Sequence, residues 1–372
     1  MTINIRPVAS NQDLRRFVLF PHALYRECPW WVPNLISDEI KLLTKGRHPF
    51  HEHADAALFL AEENGKIVGR ISAHVNHNHN KFHGDRVGFF GFFDCADSCE
   101  AACALFDKAA EFVQSKGMDT LRGPMNFSTN ETCGLLVNSF NEMPYIMMPY
   151  NFPYYENLLE SARFSKSKDL VCYHLDESIF SFDRIGKLAQ RVQERSGMAL
   201  REVDMSRLKD EMKILRDIYN SAWEKNWGFI PMTDAEFDFM AHELKPVADS
   251  RLLYIAEHRG EPVGFIICLP DFNLVLKKTN GRLFPFGILK ALWWKRKIRR
   301  IRIITMGIKP EHRRAGLDLV FYAKIAQVSP TIGYPEGELG WVLEDNYLMN
   351  RAAQKMGARL SKRYRIYDRK IP

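Results

Sequence analysis

Two stretches of the chain carry the same order of apolar and polar positions. Residues 59–73 (FLAEENGKIVGRISA) and 254–268 (YIAEHRGEPVGFIIC) each run from β-rich apolar residues through a glycine-containing turn into a second apolar run, at a separation of 195 residues. This is the pattern of a two-stranded antiparallel hairpin. Gly65 matches Gly260 in the turn and Gly69 matches Gly264 in the second strand. Further on, residues 89–94 correspond to 304–309, and Gly117 matches Gly333 at a separation of 216. The separation returns to 195 at Asn151 and Asn346, each of which opens a helical segment. A duplication with one insertion per copy explains this series: one insertion near residues 124–147, the other at 271–300. Each copy then reads strand, one or two helices, three strands, helix, strand, helix, strand. In the second copy the predicted strands are 200–205, 252–257, 263–269, 301–308, 338–343 and 359–368, and the predicted helices are 207–224, 235–248, 317–328 and 346–356.

The chain has 372 residues, more than one core usually serves, and 46% of them are hydrophobic, so both halves can bury a core. We expect domains at 1–176 and 177–372. The first residues lack a basic segment followed by an apolar run, which predicts a cytoplasmic protein. Seven cysteines without framework spacing fit reduced thiols. Cys95, Cys99 and Cys103 recur at helical spacing and are expected as small buried side chains on one helix face. His74, His77, His79 and His83 lack a regular ligand spacing, so a solvent-facing strand end and loop is expected there, and no metal.

The net charge of +7 is uneven: seven cationic residues lie within 290–302 and eight within 351–370, which calls for an anionic partner. The stretch 283–300 sets Phe, Leu and Trp beside this cationic block. It is too short to span a bilayer and has the composition of an interfacial helix, or of a segment packed on the core. Neither a recognition-helix motif nor spaced stacking aromatics is present, so nucleic acid is not expected as a partner.

The most specific motif is MGIKPEHRRAGLDLV at 306–320, a strand, a basic loop and the start of a helix. Backbone N–H groups at a helix N-terminus, with cationic side chains nearby, form a site for a diphosphate. Gly316 allows a close backbone approach. Together with the order of elements, this motif resembles the pyrophosphate loop of the GNAT acyltransferase superfamily. The resemblance covers nearly the whole chain. It implies an α/β fold of two tandem GNAT-like domains, each a mixed, mostly antiparallel sheet flanked by helices.

By this resemblance Met306, Gly307, Ile308, Arg313, Arg314, Ala315, Gly316, Leu317 and Asn346 are candidates for holding acyl-CoA. Glu338 and Glu344 are candidate bases and Tyr347 a candidate acid. Asp318 and Ala353 depart from the family pattern, which has a small residue and, in many members, a tyrosine at these places. The first copy's counterpart loop, 93–100, is acidic and should not hold a diphosphate. Its polar loop 122–134 offers Asn126, Ser128, Asn130 and Glu131 to recognise an amine or hydroxyls in a cleft, or else forms a structural turn; Cys133 lacks an activating partner in the sequence. More narrowly, residues 89–94, 122–130, 148–155 and the aromatic-basic insertion resemble GNAT-like proteins linked to bacterial ceramide synthesis. The implied activity is acyl-CoA-dependent N-acylation, with a long-chain sphingoid-type amine as acceptor and peripheral membrane contact through 283–300. An N-acetyltransferase on a small soluble amine and a non-catalytic binding protein are the alternatives.

Overall fold

The computed structural model describes residues 2–176 and 182–372. The expected domain boundary at 176/177 meets the stretch 177–181, which lies outside the described residues. In chain order the elements of the first part are β1 (Asn4–Pro7), α1 (Asn11–Leu24), α2 (Ile36–Leu43), β2 (Ala54–Glu63), β3 (Lys66–Asn76), α3 (His77–His83), β4 (Val87–Cys95), α4 (Cys99–Ser115), β5 (Thr120–Gly123), β6 (Leu135–Leu136), α5 (Tyr155–Ser161) and β7 (Ser165–Asp176). The second part contains α6 (Phe182–Ser196), β8 (Met198–Glu202), α7 (Leu208–Trp223), α8 (Asp234–Leu244), β9 (Leu253–His258), β10 (Glu261–Pro270), α9 (Asn273–Thr279), α10 (Gly287–Lys295), β11 (Arg300–Ile308), α11 (Leu317–Thr331), β12 (Glu336–Leu343), α12 (Tyr347–Lys355) and β13 (Arg359–Lys370).

The chain divides into two compact units. The first comprises residues up to Leu170 with Asn273–Trp294 and Lys362–Pro372; the second comprises Val171–Phe272 and Lys295–Ser361. The insertion and the last strand therefore pack mainly with the first unit, and the end of β7 packs with the second. Each unit repeats one topology. In the first, β1 to β4 are successive antiparallel neighbours, β5 lies parallel to β4, and β13 lies antiparallel to β5. In the second, β8 to β11 are antiparallel neighbours, β12 is parallel to β11, and β7 lies beside β12.

The two matched hairpins turn in the same way. Glu63 pairs with Lys66 and His258 with Glu261, so each loop has two residues, and both have positive φ: Asn64 (50°) with Gly65 (76°), Arg259 (55°) with Gly260 (84°). Such turns match the right-handed twist of the flanking strands. The second matched glycine serves packing. A Cβ on Gly69 would lie 2.7 Å from Leu105 Cδ1 of α4, and one on Gly264 would lie 3.0 Å from Leu317 Cδ2 of α11. Gly69 pairs with Cys95 and Gly264 with Ile308. Cys95 is thus the counterpart of Ile308, and the match of 89–94 with 304–309 slips within the strand.

Both faces of each sheet are covered, which is why the central strands read as continuous apolar runs. In β9, Leu253 and Ile255 face a core with Met212, Leu215 and Ile218 of α7, while Tyr254 and Ala256 face one with Leu317 and Phe321 of α11. In the first unit α4 presents Leu105, Phe106, Ala109 and Val113 to one face, and α1 presents Leu14, Phe17 and Val18 to the other. Among the described residues no helix is long and apolar enough to cross a membrane.

Two local expectations are corrected. Cys95 ends β4 and is buried, whereas Cys99 opens α4 and is exposed, so the three cysteines do not share a buried helix face. His74 and His79 are buried rather than solvent-facing, because His74 lies on the covered face of β3 and α3 folds back after it. His74 Nε2 is 3.1 Å from the Phe127 carbonyl. Burial pushes its pKa from 6.5 down to about 3, and burial with the nearby His83 and Arg122 does the same to His79.

An imidazole depressed by folding contributes stability that is fully present above its unfolded pKa of 6.5 and is lost as the pH falls toward 3. Denaturant unfolding between pH 7 and 4.5 should show stability falling by about 1.4 kcal/mol per pH unit for each such group. His74→Phe should flatten that slope by about one proton. An unchanged slope would mean that His74 is already protonated in the fold.

Candidate functional site

In the second unit, β11 and β12 pair in parallel only from Arg300 with Glu336 to Ile303 with Leu339. β11 continues to Ile308 and β12 to Leu343, so the ladder between them stops and the strands form a fork. The buried Arg302 guanidinium holds its base: Nε and Nη2 donate to the Gly340 carbonyl at 3.1 and 2.8 Å. That carbonyl belongs to the first residue past the last ladder pair, so a side chain replaces the missing strand partner. Within the fork, Thr305 Oγ1 is buried and has no hydrogen-bond partner among the described residues. Met306, Gly307 and Ile308 form the fork's β11 arm, their other edge taken by β10.

The basic loop follows this arm. Residues Pro310–Ala315 form a 3₁₀ turn, and Gly316, at φ 77°, caps α11 with no side-chain hydrogen bond. The first-turn N–H groups of a 15-residue helix thus have no capping side chain, an arrangement that favours an anion. Arg313 and Arg314 are exposed. Arg313 also donates to the carbonyls of Ile308 and Ala222, so it braces the loop. Asp318 sits in the same first turn, within reach of the positive end of the helix.

The other candidates of this unit spread along β12 and α12. Glu338 is fully buried in the paired part of β12, and its Oε2 accepts from Ser361 Oγ at 3.3 Å. Glu344 follows the end of β12 and is half-buried. Asn346 caps α12 by accepting from the Met349 N–H at 3.2 Å. Tyr347 is 79% exposed on the first turn of that helix, and Ala353 is buried beneath it.

The first unit begins the same fork and then fills it. β4 and β5 pair from Val87 with Thr120 to Phe89 with Arg122, after which the chain crosses directly over β4. Met125 N–H donates to the Phe90 carbonyl at 2.8 Å and Phe92 N–H to Asn126 Oδ1 at 2.7 Å. A Cβ on Gly91 would overlap the Met125 carbonyl, so only glycine permits this crossing. The following helix, α4, is capped by Ser98 Oγ, which accepts from the Ala101 N–H at 3.2 Å.

Beside the filled fork the first unit has a cavity of about 130 Å³. Its wall contains a buried charged cluster. Arg70 donates through Nη1 to Glu39 Oε1 at 2.6 Å and through Nε to Asp94 Oδ2 at 2.8 Å. Asp94 also accepts from the Tyr25 hydroxyl at 2.9 Å, and Asn34 Nδ2 lies 3.4 Å from Glu39 Oε2. Burial pushes the Asp94 carboxyl up despite Arg70 beside it, and burial pushes His22 in the same wall down.

Of the four polar candidates in the 122–134 loop, Asn126 lines this cavity, with Cys133 and Thr132. Ser128 Oγ accepts from the Asn130 N–H at 3.1 Å, the Glu131 N–H donates to the Ser128 carbonyl at 3.2 Å, and Glu131 lies 3.7 Å from His48. Those three residues are engaged in holding the loop. Glu39, Arg70 and Asp94 escaped the sequence reading because they are far apart in the chain. The signal was nevertheless present, since Arg70 and Asp94 each interrupt an apolar strand. No group of His, Cys, Asp or Glu that could hold a metal ion occurs among the described residues.

This repeated fork, with an uncapped helix behind it in one copy, defines a tandem protein of the GNAT acyltransferase fold. Solved structures agree. A tandem GNAT protein from the clavulanic acid biosynthesis pathway superposes with a TM-score of 0.59 at 11% identity over 99% of this chain and 98% of its own. A GCN5-related N-acetyltransferase from Anabaena variabilis gives 0.55 at 12% identity over 100% and 73%. No family model matches the sequence. Two full-length relatives do: a Caulobacter vibrioides protein named bacterial ceramide synthase, 34% identical over 99% of this chain and 98% of that protein, and Protein YghO of Escherichia coli K12, 33% identical over 99% and 95%. The chain belongs to the family of these two relatives, the ceramide synthase-like tandem GNAT proteins.

Proposed function

We propose that this protein is an acyl-CoA-dependent N-acyltransferase whose second unit binds the acyl donor and whose first unit serves the acceptor, a long-chain sphingoid-type amine. The observation that carries the reading is the asymmetry of the two forks. In the second unit the strands part, the helix behind them is uncapped and basic residues flank it; in the first, the chain itself fills the fork and a serine caps the helix. The name of the Caulobacter relative supports an amine acceptor of the ceramide-forming kind.

In this reading the diphosphate lies against the first turn of α11, with Arg314 as its cation and Arg313 bracing the loop, while the donor's amide-bearing arm pairs with β11 around residues 304–308. The acceptor loses its ammonium proton to solvent, the free amine nitrogen attacks the thioester carbonyl, the C–N bond forms and the C–S bond breaks. The second proton from nitrogen passes through water to Glu344, the candidate carboxylate that reaches solvent; Glu338 is buried in the paired part of β12, where Ser361 donates to it. A thiolate leaves readily near pH 8, so the step needs no dedicated acid, although Tyr347 is available as one. Positioning of amine and thioester supplies most of the acceleration.

The same reading places the insertion at a lipid surface. Leu283, Phe284, Phe286, Ile288, Leu289, Leu292 and Trp293 are exposed, Phe284 at 85% and Leu289 at 68%, and Lys290, Lys295, Arg296 and Lys297 lie among or just after them. Exposed apolar side chains beside cations suit an anionic membrane face.

Calorimetric titration with acetyl-CoA and palmitoyl-CoA should give micromolar binding, tighter for the longer chain. Arg314→Ala should weaken it about tenfold at unchanged melting temperature, whereas Arg313→Ala should also lower the melting temperature. A folded protein that binds neither thioester would overturn the assignment. Separately, co-sedimentation with vesicles should be strong for phosphatidylglycerol and weak for phosphatidylcholine, and Phe284→Ser with Trp293→Ser should abolish it; equal partition with and without these substitutions would remove the membrane role.

A further inference from the structure

We infer that the first-unit cavity is the binding site for the cationic head of the acceptor, selecting a primary ammonium group on a small polar head whose tail leaves along the segment 283–293. The inference rests on the N-acyltransferase reading for its biological role, but not for its chemistry.

Charge is the first argument. The wall holds two carboxylates, Glu39 and Asp94, and one guanidinium, Arg70, all buried, with both carboxylates accepting hydrogen bonds from Arg70. With both carboxylates ionised the cluster carries one excess negative charge, and its burial is what pushes the Asp94 carboxyl up while no further counterion is present. Buried excess charge is costly unless a counterion approaches it, and no lysine lines the cavity. The one histidine in the wall, His22, is held toward its neutral form by burial. A ligand ammonium would complete the pairing and place two cations against two anions.

Size is the second. A cavity near 150 Å³ is known to hold a benzene-sized guest, so about 130 Å³ suits a head of about six non-hydrogen atoms and cannot enclose a long chain. The polar rim fits a head bearing hydroxyls: Asn126 uses its Oδ1 for Phe92 N–H, and its Nδ2 has no protein partner among the described residues. The tail must therefore lie outside.

Continuity is the third. Asn273, which opens α9, is itself a wall residue, and its Nδ2 donates to the Pro144 carbonyl at 2.8 Å. Lys277 Nζ donates to the carbonyls of Cys28 (3.0 Å) and Trp31 (2.6 Å), and Ile36 N–H donates to the Gly281 carbonyl at 3.0 Å. Trp31 and Asn34, which these bonds flank, also line the cavity. The segment rooted in the cavity wall is thus the one that carries the exposed apolar side chains a few residues later. One structure holds the head and offers a surface for the tail.

The test uses the full-length protein and two soluble probes, a twelve-carbon 2-amino-1,3-diol and the same diol without the amine, titrated calorimetrically, alongside palmitoyl-CoA on the same sample. The amine should bind at least tenfold tighter than the diol. Glu39→Gln should lose at least tenfold in amine affinity, and Thr132→Phe, which adds bulk to the cavity wall from a partly buried loop position outside the charged cluster's hydrogen bonds, should abolish amine binding while leaving palmitoyl-CoA affinity unchanged. Equal binding of the two probes, or amine binding undiminished in folded Thr132→Phe, would overturn the inference while leaving the donor assignment intact. Loss of palmitoyl-CoA binding in the unmodified protein would overturn the donor reading alone, provided the amine still bound selectively.

Discussion

The end of the ladder between β11 and β12 is the constraint on which the functional account depends. A parallel pair that continued past Ile303 and Leu339 would satisfy its own backbone groups and leave nothing for a ligand. Here the strands part, and the Arg302 guanidinium occupies the Gly340 carbonyl at the point of parting. An arm of amide groups can then enter as a partial strand against β11, which already has β10 on its other edge. The uncapped α11 stands at the far end of the same arm, so in the proposed reading backbone pairing and anion binding follow one another along a single run of residues.

The first copy closes the same topology. Its fork begins with the same parallel pairing and is then closed by residues 124–126, a crossing that Gly91 permits sterically. Ser98 supplies the hydrogen bond that a ligand would otherwise make to α4. What this copy has instead is a cavity with a buried ion cluster, built from α2, β3 and β4. Duplication followed by opposite local changes explains why one fold carries two different surfaces.

Much of this was legible in the sequence because it is local. The two-residue turns at Asn64-Gly65 and Arg259-Gly260, the helix-facing glycines 69 and 264, and the strand–loop–helix of 300–331 all leave short-range patterns. The strands and most of the helices of the second copy lie within a few residues of their predicted bounds. The parts that were not legible depend on contacts between distant positions. That β13 gives its residues 362–370 to the first unit and pairs with β5 over 367–370, while β7 lies beside β12, cannot be read from repeat offsets, because either last strand fits either copy by pattern. The allegiance of 273–294 is set by hydrogen bonds that Lys277 donates and the Gly281 carbonyl accepts, their partners lying more than 200 positions earlier. Glu39, Arg70 and Asp94 likewise meet only in the fold. The loop 122–134 was recognised as polar, but its four candidate residues divide between Asn126, which faces the cavity, and three engaged in holding the loop.

The measurement that bears most directly on the central claim is a single-turnover reaction. Purified protein in excess is mixed with palmitoyl-CoA and a long-chain 2-amino-1,3-diol, and released CoA thiol and amide product are followed together by thiol titration and mass spectrometry. The account predicts one thiol and one amide per palmitoyl-CoA, with both absent when the amine is omitted. Folded, acyl-CoA-bound protein that releases no amide would contradict it and leave a tandem fold that binds its donor without transferring it.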